Sequence, residues 1–231
     1  MAATLLTPAP VPWSAELRAR FRGHFLLTLI GTSVFILVFF VGYFHVQRYP
    51  AFALTVMPLT RLDRLIPFQP YALSAYLSLW IYVGAGPGLQ KTRAEILRYA
   101  LWMGALCLTG LGIFYFLPTQ VPLPTVDLSD SSVFAMLQQV DAAGNACPSM
   151  HVAVAVFTAI RVEDVLRRIG SPALLRLLNV TCGGLICYST LAVKQHVVMD
   201  VVAGAMLGAV FAVLSLRWQP RAGAAAQVGR G

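Results

Sequence analysis

Apolar residues run nearly unbroken through 25–45, 71–87, 99–117, 172–193 and 196–216. A sixth run at 150–168 is less clean, because Arg161, Glu163 and Asp164 interrupt its end. A helix needs about 20 apolar residues to cross a bilayer, and each run approaches that length. The pattern predicts an all-α, polytopic membrane bundle of about six transmembrane helices. Between the first two runs, Arg48–Pro70 contains Pro50, Pro58, Pro67 and Pro70. Proline at that density breaks a regular span, so an interfacial or re-entrant loop is expected. Pro118–Pro148, rich in proline and aspartate, should be the largest extramembrane segment besides that loop. The chain reads as one membrane-embedded domain, 1–231, with its core at 71–217 and tails at 1–23 and 218–231. The apolar run after Arg22 has no small-residue cleavage site and reads as a retained first span, not a removed signal peptide. The low-complexity stretch Ala222–Gly231 is expected to be disordered.

Composition agrees with the pattern. Charged residues make up 11% of the chain and hydrophobic residues 58%, with a mean hydropathy of +0.73. Soluble domains carry roughly 25% charge, so no separate water-soluble domain is expected. The net charge of +8 raises nucleic acid as a partner, but in a membrane chain it fits basic cytoplasmic loops better. With six crossings, only Arg48, Arg61, Arg64 and Lys194 of the 17 basic residues fall on one side. The positive-inside rule makes that side extracytoplasmic and puts both termini in the cytoplasm. The cell (inner) membrane is the expected location. The cysteines Cys107, Cys147, Cys182 and Cys187 form no Cys-x-x-Cys pair, which points away from a disulfide framework or zinc site.

Two short segments carry candidate chemistry. Cys147-Pro148-Ser149-Met150-His151 opens the fourth span, and Lys194-Gln195-His196-Val197-Val198-Met199-Asp200 opens the sixth. Both openings fall on the extracytoplasmic side, in a topology built without them. Proline suits a first helical turn and serine is a favoured N-cap. The free backbone N–H groups there favour an anion. His196 and Asp200 are spaced i, i+4 and share a helix face, where an aspartate can fix the tautomer of a histidine and stabilise its charged form. Ionisable groups at membrane depth are expensive and usually functional. Two histidines, an aspartate and an anion-binding helix start suit phosphoryl transfer, with one histidine attacking phosphorus and the other protonating the leaving oxygen. The other histidines, His24 and His45, lack an acidic neighbour at helical spacing and read as interfacial.

These residues resemble the type 2 phosphatidic acid phosphatase superfamily. Its Pro-Ser-Gly-His motif corresponds to Pro148-Ser149-Met150-His151, and its Ser-Arg-x5-His-x3-Asp motif to Ser189-Thr190 followed by His196 and Asp200. The resemblance implies a helical bundle in which His196 is the nucleophile and forms a phosphohistidine, Asp200 orients it, and His151 is general acid and then base. Ser149 would hydrogen-bond the phosphate. The arginine of the third motif is missing, with Thr190 in its place, and the glycine of the second is Met150. The first motif, Lys-x6-Arg-Pro, has a counterpart in spacing only: Lys91-x6-Arg98-Tyr99 lies at the cytoplasmic start of the third span and reads as a positive-inside anchor. Lys194, Arg61 and Arg64 are the candidates left to neutralise phosphate, with head-group anchoring equally open for the two arginines. The loop Asp63-Arg64-Leu65-Ile66-Pro67-Phe68-Gln69-Pro70, with Phe116-Leu117-Pro118-Thr119, is similar to the inositol phosphorylceramide synthase-like branch, whose members transfer a phospho-alcohol head group between lipids.

The leading expectation is therefore a metal-independent enzyme without a cofactor, either a lipid phosphatase or a phosphotransferase. It would act on phospholipid or isoprenyl phosphate esters and, for transfer, on a lipid alcohol acceptor. Two other classes stay in view. An intramembrane hydrolase with Ser149 as nucleophile lacks a Gly-x-Ser-x-Gly elbow. A lipid carrier would use the intramembrane charges as a substrate path, but the chain has no inverted repeat. Substrate, acceptor and oligomeric state are not legible in the sequence.

Overall fold

The computed structural model describes residues 11–122 and 144–218. The expected disordered tail at Ala222–Gly231 lies outside the described residues, as does most of the Pro118–Pro148 segment. Eleven elements follow in chain order: α1 (Trp13–Gly23), α2 (Phe25–Arg48), β1 (Thr55–Val56), α3 (Arg61–Leu65), α4 (Leu73–Leu77), α5 (Leu79–Gly88), α6 (Arg93–Phe116), β2 (Thr119–Gln120), α7 (Met150–Arg168), α8 (Ala173–Ala192) and α9 (Val198–Arg217). The fold is an all-α membrane bundle. Among the described residues, α2, α6, α8 and α9 are each long and apolar enough to cross a membrane.

The remaining two predicted spans depart from that criterion for separate reasons. The second is two pieces, α4 and α5, meeting at Ser78. The Ser78 hydroxyl donates to the Ala75 carbonyl at 2.7 Å, a local bond that competes with the helical ladder. The fourth, α7, is the centre of the bundle. It packs most extensively against α9, then α8 and α5, and also touches α6. Val152, Ala153, Ala155, Phe157, Thr158, Arg161 and Val162 are all buried there, so α7 contacts protein where α2 would contact lipid, and need not be uniformly apolar. Its polar end is internally paired. Glu163 accepts from Arg167 at 2.7 Å and from Arg176 at 2.8 Å, and Asp164 pairs with Arg168 at 2.9 Å.

Part of the expected N-terminal tail is helical. Pro12 precedes α1, whose Arg20 pairs with Glu16 at 3.0 Å and donates to the Leu89 carbonyl at 3.0 Å. Leu17 packs against Leu89, Val165 and Leu166. The amphipathic pattern is too short and too charged to register as a span, but it is enough to dock a helix on the end of the bundle.

The opposite end holds the site. There the chain leaving α2 meets the chain leaving α6. β1 pairs in parallel with β2, Thr55 opposite Thr119, and Ala51 N donates to Tyr115 O at 3.0 Å. The starts of α7 and α9 reach the same end, because these helices touch backbone to backbone. A Cβ on Gly204 would lie 2.3 Å from the Ser149 carbonyl oxygen, and one on Gly208 would lie 2.2 Å from that of Ala153. Small residues spaced by four permit this approach in membrane helices.

Candidate active site

Ser149 caps α7: its hydroxyl accepts from Val152 N at 3.3 Å, and its own N–H donates to the Asp200 carbonyl at 3.0 Å. This backbone link fixes the start of α7 to the first turn of α9. Ser149 is fully buried. Two residues on, the His151 ring stacks on Tyr76, with centroids 4.0 Å apart and planes 13° apart, and meets the edge of Trp80 at 6.3 Å. The His151 ring is also hydrogen-bonded to the Tyr76 main chain, and its Nε2 has no partner among the described residues.

His196 is presented by a tight turn between α8 and α9. Gln195 N and His196 N both donate to the Thr190 carbonyl, at 3.1 and 3.2 Å. Lys194 takes φ +60° there, an uncommon conformation for a residue other than glycine. Asp200 is fully buried in the first turn of α9. Its Oδ2 accepts from Val197 N at 3.0 Å and lies 3.5 Å from His196 Nδ1. That separation is longer than an ordinary hydrogen bond. The carboxylate thus stands behind the imidazole on the side away from Nε2. His151 and His196 line one cavity of about 160 Å³, walled by Phe35, Phe39, Phe40, Tyr76 and Trp80.

The four residues predicted at the helix openings, Ser149, His151, His196 and Asp200, are therefore brought together. The predicted basic residues are placed differently. Lys194 donates from Nζ to the carbonyls of Asp63, at 3.1 Å, and Ile66. Burial pushes its ammonium below the usual lysine range, against the opposing pull of Asp63. Arg61 and Arg64 are exposed on α3. Among the described residues, no lysine or arginine lines the cavity. Lys91 pairs with Glu16 at 3.6 Å, at the start of α6. That is some 36 Å of helix from the end where the site lies, at ~1.5 Å per residue.

Asp63 escaped sequence reasoning as a site residue. Its Oδ1 accepts from Val198 N at 2.7 Å, and its Oδ2 from Thr60 N and Thr60 Oγ1, both at 2.7 Å. One buried carboxylate thus caps α3 and holds it against the start of α9, two residues from His196. The Thr60-x-x-Asp63 spacing is a capping-box signature that could have marked the short helix, though not its long-range partner, in a stretch whose proline density reads only as a loop. Tyr76 and Trp80, the aromatic seat of His151, gave no signal beyond apolar periodicity.

The family model described as the PAP2 superfamily matches residues 95–224. The chain belongs to the PAP2 superfamily. No curated protein and no solved structure matches it. As a PAP2 protein it has the phosphatase or phosphotransferase chemistry of phosphate esters as its family-level activity. The PAP2 match spans α6 to α9 and so covers both histidines. It leaves out α2 to α5, which supply the aromatic wall and the Asp63 clamp.

Proposed function

We propose that this protein is a membrane lipid phosphatase or phosphotransferase acting through a phosphohistidine on His196. The observation that carries the reading is the shared cavity: His196, backed at 3.5 Å by Asp200, faces the same small space as the unpartnered His151 Nε2. His196 Nε2 attacks phosphorus as the bond to the leaving alcohol breaks, and His151 gives its proton to the leaving oxygen. An incoming water or alcohol then loses its proton to His151 and attacks phosphorus, which breaks the N–P bond and frees His196. Asp200 stabilises the charge that develops on the His196 ring. The basic residues distribute as positive-inside predicts if both termini are cytoplasmic and the site opens on the extracytoplasmic face of the cell membrane.

A second reading, head-group transfer of the inositol phosphorylceramide synthase type, draws support from the charge of the site. A phosphomonoester dianion wants several fixed cations, whereas a phosphodiester carries one charge. Among the described residues the cavity has no lysine or arginine, Thr190 replaces the motif arginine as a buried residue, and the Lys194 amine is held by carbonyls. Residues 123–143 contain no lysine or arginine at all. A water-excluding aromatic wall would favour an alcohol acceptor over water.

The deciding experiment incubates wild type and His196→Ala in detergent with head-group-labelled phospholipids and isoprenyl phosphates, with and without ceramide or diacylglycerol, and reads products by mass spectrometry. Phosphate release lost in the variant identifies a phosphatase. A new phospho-alcohol lipid lost in the variant identifies a transferase. Equal products in both proteins would remove His196 as nucleophile.

A further inference from the structure

The cavity holding the two histidines does not end beneath them. A second cavity of about 150 Å³ lies further along α2, bounded by Leu27, Thr28, Pro87, Ile96, Tyr99 and Ala100. Thr32, Phe35, Val83 and Met103 line both, so the two meet at a neck between α2, α5 and α6. Together they follow α2 from Tyr43 to Leu27. That is 16 residues, or ~24 Å at ~1.5 Å per residue. One leaflet of the hydrocarbon core is only ~15 Å, half of ~30 Å. Tyr99 lines the lower cavity; its hydroxyl bonds Thr158 at 3.1 Å, and the Arg161 guanidinium lies 5.9 Å from its ring centroid. In the lower cavity the walls are mostly apolar, and Thr28 returns its hydroxyl to its own chain. The Thr28 hydroxyl bonds the His24 and Phe25 carbonyls.

We infer that this crevice receives a single extended hydrocarbon chain of the substrate, which runs from the phosphate at His196 past the bilayer midplane to Tyr99. The inference rests on the phosphohistidine reading of the upper cavity. What selects the occupant is continuity. A chain attached to a phosphate at the histidines has this space as its apolar continuation, whereas bulk lipid meets the outer face of α2 at Leu37, Val38 and Val41. Because the crevice is longer than a leaflet, it discriminates by chain length. Short chains leave the lower cavity empty, and each further buried methylene adds to binding. Thr32 at the neck is the specificity-determining position.

The test compares hexadecyl phosphate with butyl phosphate on wild type, Thr32→Phe and Ser33→Phe. Ser33 is the exposed neighbour on α2. The crevice predicts that Thr32→Phe lowers the hexadecyl-to-butyl ratio of kcat/KM by about tenfold or more, mainly through KM, while Ser33→Phe leaves it within about twofold. An unchanged ratio in Thr32→Phe overturns the inference. So does an equal fall in Ser33→Phe. Binding is read separately in His196→Ala with hexadecyl phosphate carrying a diazirine at its chain end. Adducts at Ile96 or Ala100 support the crevice. Adducts confined to Leu37, Val38 and Val41 assign the chain to bulk lipid contact and overturn it. Failure of the phosphohistidine reading has a different signature, namely turnover that persists in His196→Ala.

Discussion

Asp63 shows how much one side chain can decide. Its carboxylate takes three short hydrogen bonds, two from Thr60 and one from Val198, while Lys194 grips its carbonyl. Removing the side chain leaves the N–H of Val198 and the Thr60 cap without their acceptor, while the main-chain carbonyl gripped by Lys194 remains. Leaving a buried donor unsatisfied costs about 1–3 kcal/mol. Asp63→Ala should therefore lower thermal stability by that order and cut kcat more than it raises KM, since the phosphate-binding surface is intact but His196 is poorly aimed. Asp63→Asn keeps one acceptor and should retain more of both, as measured by thermal unfolding in detergent alongside turnover. Cys147 offers a second check at this scale. Burial, with Asp200 adding its charge, pushes its thiol up to about 11. Since the thiolate is the reactive form, maleimide labelling of Cys147 at neutral pH should be slow and should accelerate on denaturation. Ser149, His151, His196 and Asp200 were legible in the sequence because capping preference and i, i+4 spacing are local rules. The contacts of Asp63 with Val198, and of Tyr76 and Trp80 with His151, were not, because those partners lie far along the chain and no local pattern encodes them.

At the scale of elements, the contact between α7 and α9 sets the site. Gly204 and Gly208 let the two backbones touch, and that contact brings the Ser149 N–H onto the Asp200 carbonyl. Gly204→Leu should push the helices apart and abolish activity. Gly184→Leu, where an added Cβ meets nothing within 4 Å, should be tolerated. The comparison, read as activity per folded protein after size-exclusion chromatography, separates a specific packing requirement from a general intolerance of bulk. The spans themselves were legible as apolar runs. Their internal differences were not. The break at Ser78 depends on a side chain bonding its own backbone, and the polarity of α7 is tolerated because other helices, not lipid, surround it. The docking of α1 also escaped hydropathy, since it uses Leu17, Arg20 and Glu16 against the turn at Leu89 instead of a long apolar face.

For the whole molecule, the arrangement predicts sidedness. Single cysteines placed at Arg61 and at Arg93, in a background where the native cysteines are replaced by alanine, should react with a membrane-impermeant thiol reagent from opposite sides. The Arg61 position should be reached from outside intact cells. Labelling of both from one side would overturn the six-crossing topology. The sequence by itself determined that this is a helical membrane protein, which helix ends carry histidine, serine and aspartate, and that those ends share a side. Each follows from hydrophobic length, local capping chemistry and charge asymmetry, none of which needs a distant contact. Only the tertiary structure decided which residues face the histidines, that Lys194 is spent on two carbonyls, and that no lysine or arginine among the described residues lines the cavity. It also decided that a second cavity along α2 shares Thr32, Phe35, Val83 and Met103 with the first. These are consequences of packing, where residues far apart in the chain share one space and the backbone approach at Gly204 and Gly208 fixes how closely they meet.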